Sequence, residues 1–120
     1  MFLGESGSGH SVVMDGAPDQ GGRNMGARPM EMILLGLGGC ASFDVMTMLQ
    51  KGRQQVSDCR VEISAQRVDV VPAVFSSIHL EFVLSGSNLK ESQVKRAVEL
   101  SAEKYCSASI MLEAAGVEIS

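Results

Sequence analysis

The 120-residue chain carries ten scattered basic residues against fourteen acidic ones, a net charge of −4, which leaves no continuous basic stripe for a phosphate backbone and excludes nucleic-acid binding as its main work. Apolar residues make up 45% of it and aromatics only 4%, so one domain spanning 1–120 is expected around an aliphatic core, with the eight methionines mostly filling gaps. Three widely spaced cysteines form no disulfide framework, and no C-x-x-C or H-E-x-x-H spacing points to a bound metal or cofactor.

Taken in chain order, Met1 to Met14 predicts strand material, with a turn over Gly4 to Gly9 and a stop at Asp15-Gly16. A strand starting this early implies upstream sequence or a partner covering its edge. Nothing in Met1-Phe2-Leu3-Gly4-Glu5 has the basic and apolar build of a secretion signal, so the cytosol is the expected compartment. Ala17 to Ala27, made of Pro, Gly, Asp, Asn and Gln, predicts a mobile surface loop. Pro29 and Glu31 mark a helix start, and apolar residues cover every face from Met30 to Leu49, predicting a helix surrounded by protein. Gly36, Gly38, Gly39, Ser42 and Asp44 make its middle too polar and glycine-rich for a membrane span. The same glycines would let a second helix backbone approach closely.

Gly52 is a helix stop, and two strand-like runs follow, Val56 to Val71 and Phe75 to Ser85, predicting a hairpin. Ile78, Leu80, Phe82 and Leu84 alternate with His79, Glu81 and Val83, the period of a strand with one buried face. Asn88 and Glu91 have the spacing of a capping box, and the following helix is amphipathic through Val94, Ala97, Val98, Ser101, Ala102 and Tyr105. Cys106 closes it, ahead of a helical stretch Ala108 to Ala115 and a short strand Val117 to Ile119. The order of elements is that of an α+β domain with antiparallel pairing, and the glycines at 36, 38 and 39, inside a helix, carry no nucleotide signal.

Each cysteine taken singly reads as a small buried hydrophobe, and Cys59, within a strand, stays structural. Together, two segments say more. The run Arg28-Pro29-Met30-Glu31 through Gly38-Gly39-Cys40-Ala41-Ser42-Phe43-Asp44-Val45 resembles the first-cysteine helix of the OsmC/Ohr family, and Leu100-Ser101-Ala102-Glu103-Lys104-Tyr105-Cys106-Ser107 resembles its second-cysteine helix. Within that family both segments are similar to the YhfA-like branch. The resemblance implies an OsmC-like α+β fold in which an antiparallel sheet packs on two central cysteine-bearing helices of an intertwined homodimer.

It also implies a thiol-dependent peroxidase that reduces organic and inorganic hydroperoxides, with Cys40 as the peroxidatic thiol, Cys106 as the resolving thiol, and a dithiol reductant such as a lipoylated protein. In the family an N-terminal arginine, held by a glutamate, lowers the pKa of the first cysteine. Glu31 is the candidate carboxylate here, although Ohr-type members have theirs one position upstream, at Met30, about 100° away around a helix. Residues 1 to 22 contain no arginine, which makes Arg23 and Arg28 the candidate cations and His10 a further donor. The alternative reading is a non-catalytic dimer that binds a small ligand or senses redox state.

Overall fold

A computed structural model describes residues 1–120. Contacts cluster into two units, Met1–Leu35 and Gly36–Ser120. In the first, β1 (Phe2–Glu5) and β2 (Ser11–Met14) pair antiparallel with Phe2 opposite Met14, so Gly4 lies within the strand and the turn falls between Glu5 and Ser11. The stretch expected as a mobile loop is tied down. Asp15 is buried and its carboxylate accepts N–H groups from Gly16 at 2.8 Å and from Arg23 and Met25 at 3.1 Å each. Pro18–Gln20 forms one 3₁₀ turn inside that loop. Gly22 passes so close to Gly16 that a Cβ there would collide with the Gly16 carbonyl.

Helix α1 runs from Pro29 to Lys51. Its first turn is closed by Glu31, whose Oε1 accepts the backbone N–H of Arg28 at 2.7 Å, satisfying a donor that the helix itself leaves unpaired. Within the second unit its buried residues are Leu37, Gly38, Ala41, Val45 and Leu49. On the opposite side of this stretch Phe43 is 79% exposed, so the second unit covers one face of a helix that is apolar all round. Apolarity all round shows that a helix face needs cover, without showing whether the same chain supplies it. The helix ends by wrapping its last carbonyls with N–H groups of Gly52, Arg53 and Gln54, and the left-handed residue is Arg53 (φ 58°) instead of the neighbouring glycine.

The hairpin is formed by β3 (Gln55–Arg67) and β4 (Phe75–Ser87). Their register sets Cys59 opposite Leu84, Val61 opposite Phe82, Ile63 opposite Leu80 and Ala65 opposite Ile78, an apolar face built from alternate residues as the sequence period demands. Arg67 braces the turn, donating from Nε to the Ala73 carbonyl at 2.6 Å with its guanidinium over the Phe75 ring. Val45, Leu49 and Ala97 form a core cluster against Met48, Val56, Phe82, Leu84, Val94 and Val98.

Helix α2 (Glu91–Leu100) starts without the expected capping box. Asn88 is spent on a left-handed turn (φ 53°), a conformation asparagine tolerates, and Gln54 Oε1 accepts the Lys90 N–H at 2.9 Å. After a π-helical turn (Ser101–Tyr105), α3 spans Ser107–Ala114, and Gly116 (φ 95°) reverses the chain into β5 (Glu118–Ile119). β5 pairs parallel to β4, so the sheet, expected to be antiparallel, is mixed at this edge. The intervening helices return the chain to the β4 edge running in the same direction, which a tight hairpin cannot do.

Candidate active site

On α1, residues advance about 100° each, so the buried positions Leu37 to Leu49 occupy an arc of about 120°, with Asp44 about 20° and Cys40 about 60° beyond its edge. That spacing places Cys40 and Asp44, four residues apart, one above the other at the boundary between covered and open helix surface. Both are half-buried. Small neighbours keep the region tight: a Cβ on Gly38 would sit 2.6 Å from Ile63 Cδ1, whereas Gly36 and Gly39 face open space.

Cys106 comes from the break between α2 and α3. The π-helical turn adds a residue to the usual helical repeat, so the Cys106 N–H bonds to the Ser101 carbonyl, five residues back, at 2.8 Å. At Cys106 the backbone becomes extended (φ −75°, ψ 105°), and its side chain then caps α3, Sγ accepting the Ser109 N–H at 3.4 Å. Its sulfur is fully buried, and burial pushes the thiol up to about 11, the neighbouring Cys40 thiol adding to the rise and the Ser109 N–H opposing it. At neutral pH Cys106 is a protonated thiol.

These elements bring Cys40 Sγ, Cys106 Sγ and an Asp44 carboxylate oxygen within 4.8 Å of one another. To reach the bond length of a disulfide, about 2.05 Å, the sulfurs need to close by at most about 2.7 Å. The Ser101 hydroxyl lies 3.3 Å from Asp44 Oδ2 and 3.4 Å from the Ala41 carbonyl, so it can orient the carboxylate. Beside Cys106 is a cavity of about 110 Å³ walled by Leu37, Leu80, Phe82, Val98 and Ile119, an apolar space that Cys106 borders and Cys40 does not.

The family model for OsmC-like protein matches residues 21–120. The chain belongs to the OsmC family. It is 50% identical to Protein YhfA of Escherichia coli K12 over 117 residues, covering 95% of this chain and 82% of that one, which places it in the YhfA-like branch. Among solved structures, a protein of Aquifex aeolicus VF5 superposes with a TM-score of 0.82 at 30% identity, over 99% of this chain and 83% of that one. The organic hydroperoxide resistance protein OsmC of Legionella pneumophila shares the fold, with a TM-score of 0.72 at 14% identity over 97% and 83% of the two chains.

Of the residues singled out in this OsmC-family sequence, the structure brings Cys40 and Cys106 together. The other three are engaged locally. Glu31 closes the first turn of α1, Arg28 donates from Nη1 to Asn24 Oδ1 at 2.8 Å and to the Gly26 carbonyl at 3.2 Å, and Arg23 gives its backbone N–H to Asp15. His10 pairs with Ser8 in the β1–β2 turn. Cys59 stands apart, its thiol pushed up by burial and by Asp58, with a Ser42 hydrogen bond acting the other way. Sequence reasoning missed Asp44 and Ser101 as site residues. The signal was present for Asp44, which repeats Cys40 at the i, i+4 spacing of one helix face.

Proposed function

We propose that the chain is a cytoplasmic thiol-dependent peroxidase, working as a homodimer on organic hydroperoxides through a Cys40/Cys106 couple. The observation that carries this reading is the adjacency of two thiols from remote parts of the chain, one half-buried and one sealed beside an apolar cavity. Family membership, and a fold shared with a protein called an organic hydroperoxide resistance protein, support it.

The difference in exposure between the two sulfurs supports the following roles. Cys40, the more accessible sulfur, attacks the terminal oxygen of the hydroperoxide as a thiolate. The O–O bond breaks, the sulfur is oxidised to a sulfenic acid, and the alkoxide leaves with a proton as the alcohol. Cys106 then attacks the sulfenic sulfur, forming the disulfide. Its thiol proton leaves with the hydroxide as water, and the Asp44 carboxylate, held by Ser101, is placed to carry it. A dithiol reductant restores both thiols and becomes a disulfide itself. Arg23 and Arg28 are the candidate cations for activating Cys40, and Glu31 is the candidate carboxylate that holds the cation.

The open face of α1, with Phe43 79% and Leu35 59% exposed, supports a second copy as its cover, since a soluble chain seldom leaves such side chains uncovered together. Stopped-flow mixing of the reduced protein with cumene hydroperoxide tests the activity. Wild type consumes oxidant and loses two thiols, and a Cys40→Ser variant that consumed it equally fast would overturn the reading.

A further inference from the structure

We infer that the reduced site is also a binding site for a thiophilic divalent cation such as Zn²⁺, held by Cys40 Sγ, Cys106 Sγ and the Asp44 carboxylate. The three donor atoms come from two rigid pieces of backbone, the i, i+4 pair on α1 and the capping position of α3, and they lie within 4.8 Å of one another. A tetrahedral Zn²⁺ takes sulfur at about 2.3 Å and carboxylate oxygen at about 2.0–2.2 Å, which requires donor separations of about 3.5–3.8 Å. A contraction of about 1 Å closes the site around the ion.

Supporting hydrogen bonds are already in place. The Ser109 N–H donates to Cys106 Sγ and the Ser101 hydroxyl to the Asp44 carboxylate, the kind of outer contact that orients thiolate and carboxylate ligands. Binding replaces two thiol protons by one M²⁺ and releases them to solvent, so affinity rises with pH. Three protein ligands leave a fourth position for water. The soft sulfur pair selects Zn²⁺ or Cd²⁺ over Mg²⁺ or Ca²⁺.

The metal and the disulfide need the same two sulfurs and exclude each other. With a hydroperoxide as oxidant, the dithiolate complex, one ROOH and two protons give the disulfide, free M²⁺, ROH and water. This release step rests on the peroxidase reading, whereas the binding does not.

The test uses the reduced full chain under argon, titrated with Co²⁺ as a spectroscopic probe and then displaced with Zn²⁺. One equivalent of Co²⁺ is expected to give the near-ultraviolet thiolate charge-transfer band and the visible bands of tetrahedral cobalt. Cys40→Ser and Cys106→Ser should each weaken the band and binding at least tenfold, Ser101→Ala should weaken binding about 10–100-fold, and Cys59→Ser should leave it unchanged. Circular dichroism confirms the fold of each variant, and Zn²⁺ should raise the unfolding temperature of wild type and not of Cys106→Ser. Absence of the band at one equivalent, or an equal band in the Cys106→Ser protein, overturns the site. Hydroperoxide consumption by metal-free protein is measured in parallel. Cobalt binding without consumption supports the metal site against the peroxidase, and consumption without binding overturns the metal site alone.

Discussion

The backbone N–H of Ser109 is directed at Cys106 Sγ from 3.4 Å, inside a pocket where that sulfur has no solvent contact. One amide therefore softens, without cancelling, the cost of placing charge on a buried sulfur, and the thiol stays protonated up to about pH 11. A raised folded pKa contributes stability below the unfolded thiol value of 9.0, and that contribution is lost as pH rises through about 11. The protein should accordingly lose stability between pH 9 and 11 in denaturant melts, and Cys106→Ser should flatten that loss. An equal alkaline loss in the variant would show that another group is responsible.

Asp15 gives the opposite sign. The Gly16 N–H, with those of Met25 and Arg23, holds its carboxyl down at about 2 against the drag of burial, so its stabilising contribution is present above the unfolded value of 3.8 and fades as pH falls toward 2. Protection of the Gly16, Arg23 and Met25 amides against hydrogen exchange, relative to the intrinsic rate at each pH, should fall over that window, and Asp15→Ala should lack that protection at neutral pH.

How much of this was legible in the residues differs from element to element. The β4 alternation of Ile78, Leu80, Phe82 and Leu84 and the helix start at Pro29 could be read directly, because period and backbone constraint act locally. The pairing of Cys40 with Cys106 was legible only through two segments resembling one family, since 66 positions separate them and no local rule links them. Asp44 and Ser101 were passed over because a short polar residue in a helix has many uses until tertiary contact selects one. Nor could the π-helical turn be foreseen, as an extra residue in a helix is fixed by how the two ends pack. Asn88 misled for a related reason, its cap spacing being correct while its backbone was needed for a turn.

Leu49, 1% exposed in the core cluster, should cost about 2–5 kcal/mol when cut to alanine, because the surrounding residues relax only partly. Gly38→Ala meets only Ile63 Cδ1, the end of a side chain that can turn aside, so its net effect should stay within about 1 kcal/mol, and in the Ile63→Val background, which lacks that atom, the same change should shift toward stabilisation by the helix-propensity gain of about 0.5–1 kcal/mol. Urea unfolding of the single and double variants measures the coupling.

Gly36 and Gly39 test the proposed homodimer. A methyl group there meets nothing within the chain, so for an isolated subunit Gly39→Ala should stabilise by about 0.5–1 kcal/mol through helix propensity. In a dimer whose second helix approaches at this point, the same change should instead weaken association, read as a lower dimer fraction by light scattering at low concentration.

The proposed chemistry requires Cys40 and Cys106 to form a bond when an oxidant arrives. Treating the reduced protein with one equivalent of cumene hydroperoxide, followed by acid quench and peptide mass spectrometry, tests it directly. One linked peptide pair containing Cys40 and Cys106 is expected, lighter by two hydrogen atoms, formed with stoichiometric release of cumyl alcohol. Unlinked thiols with the hydroperoxide intact, or a link through Cys59, would contradict it.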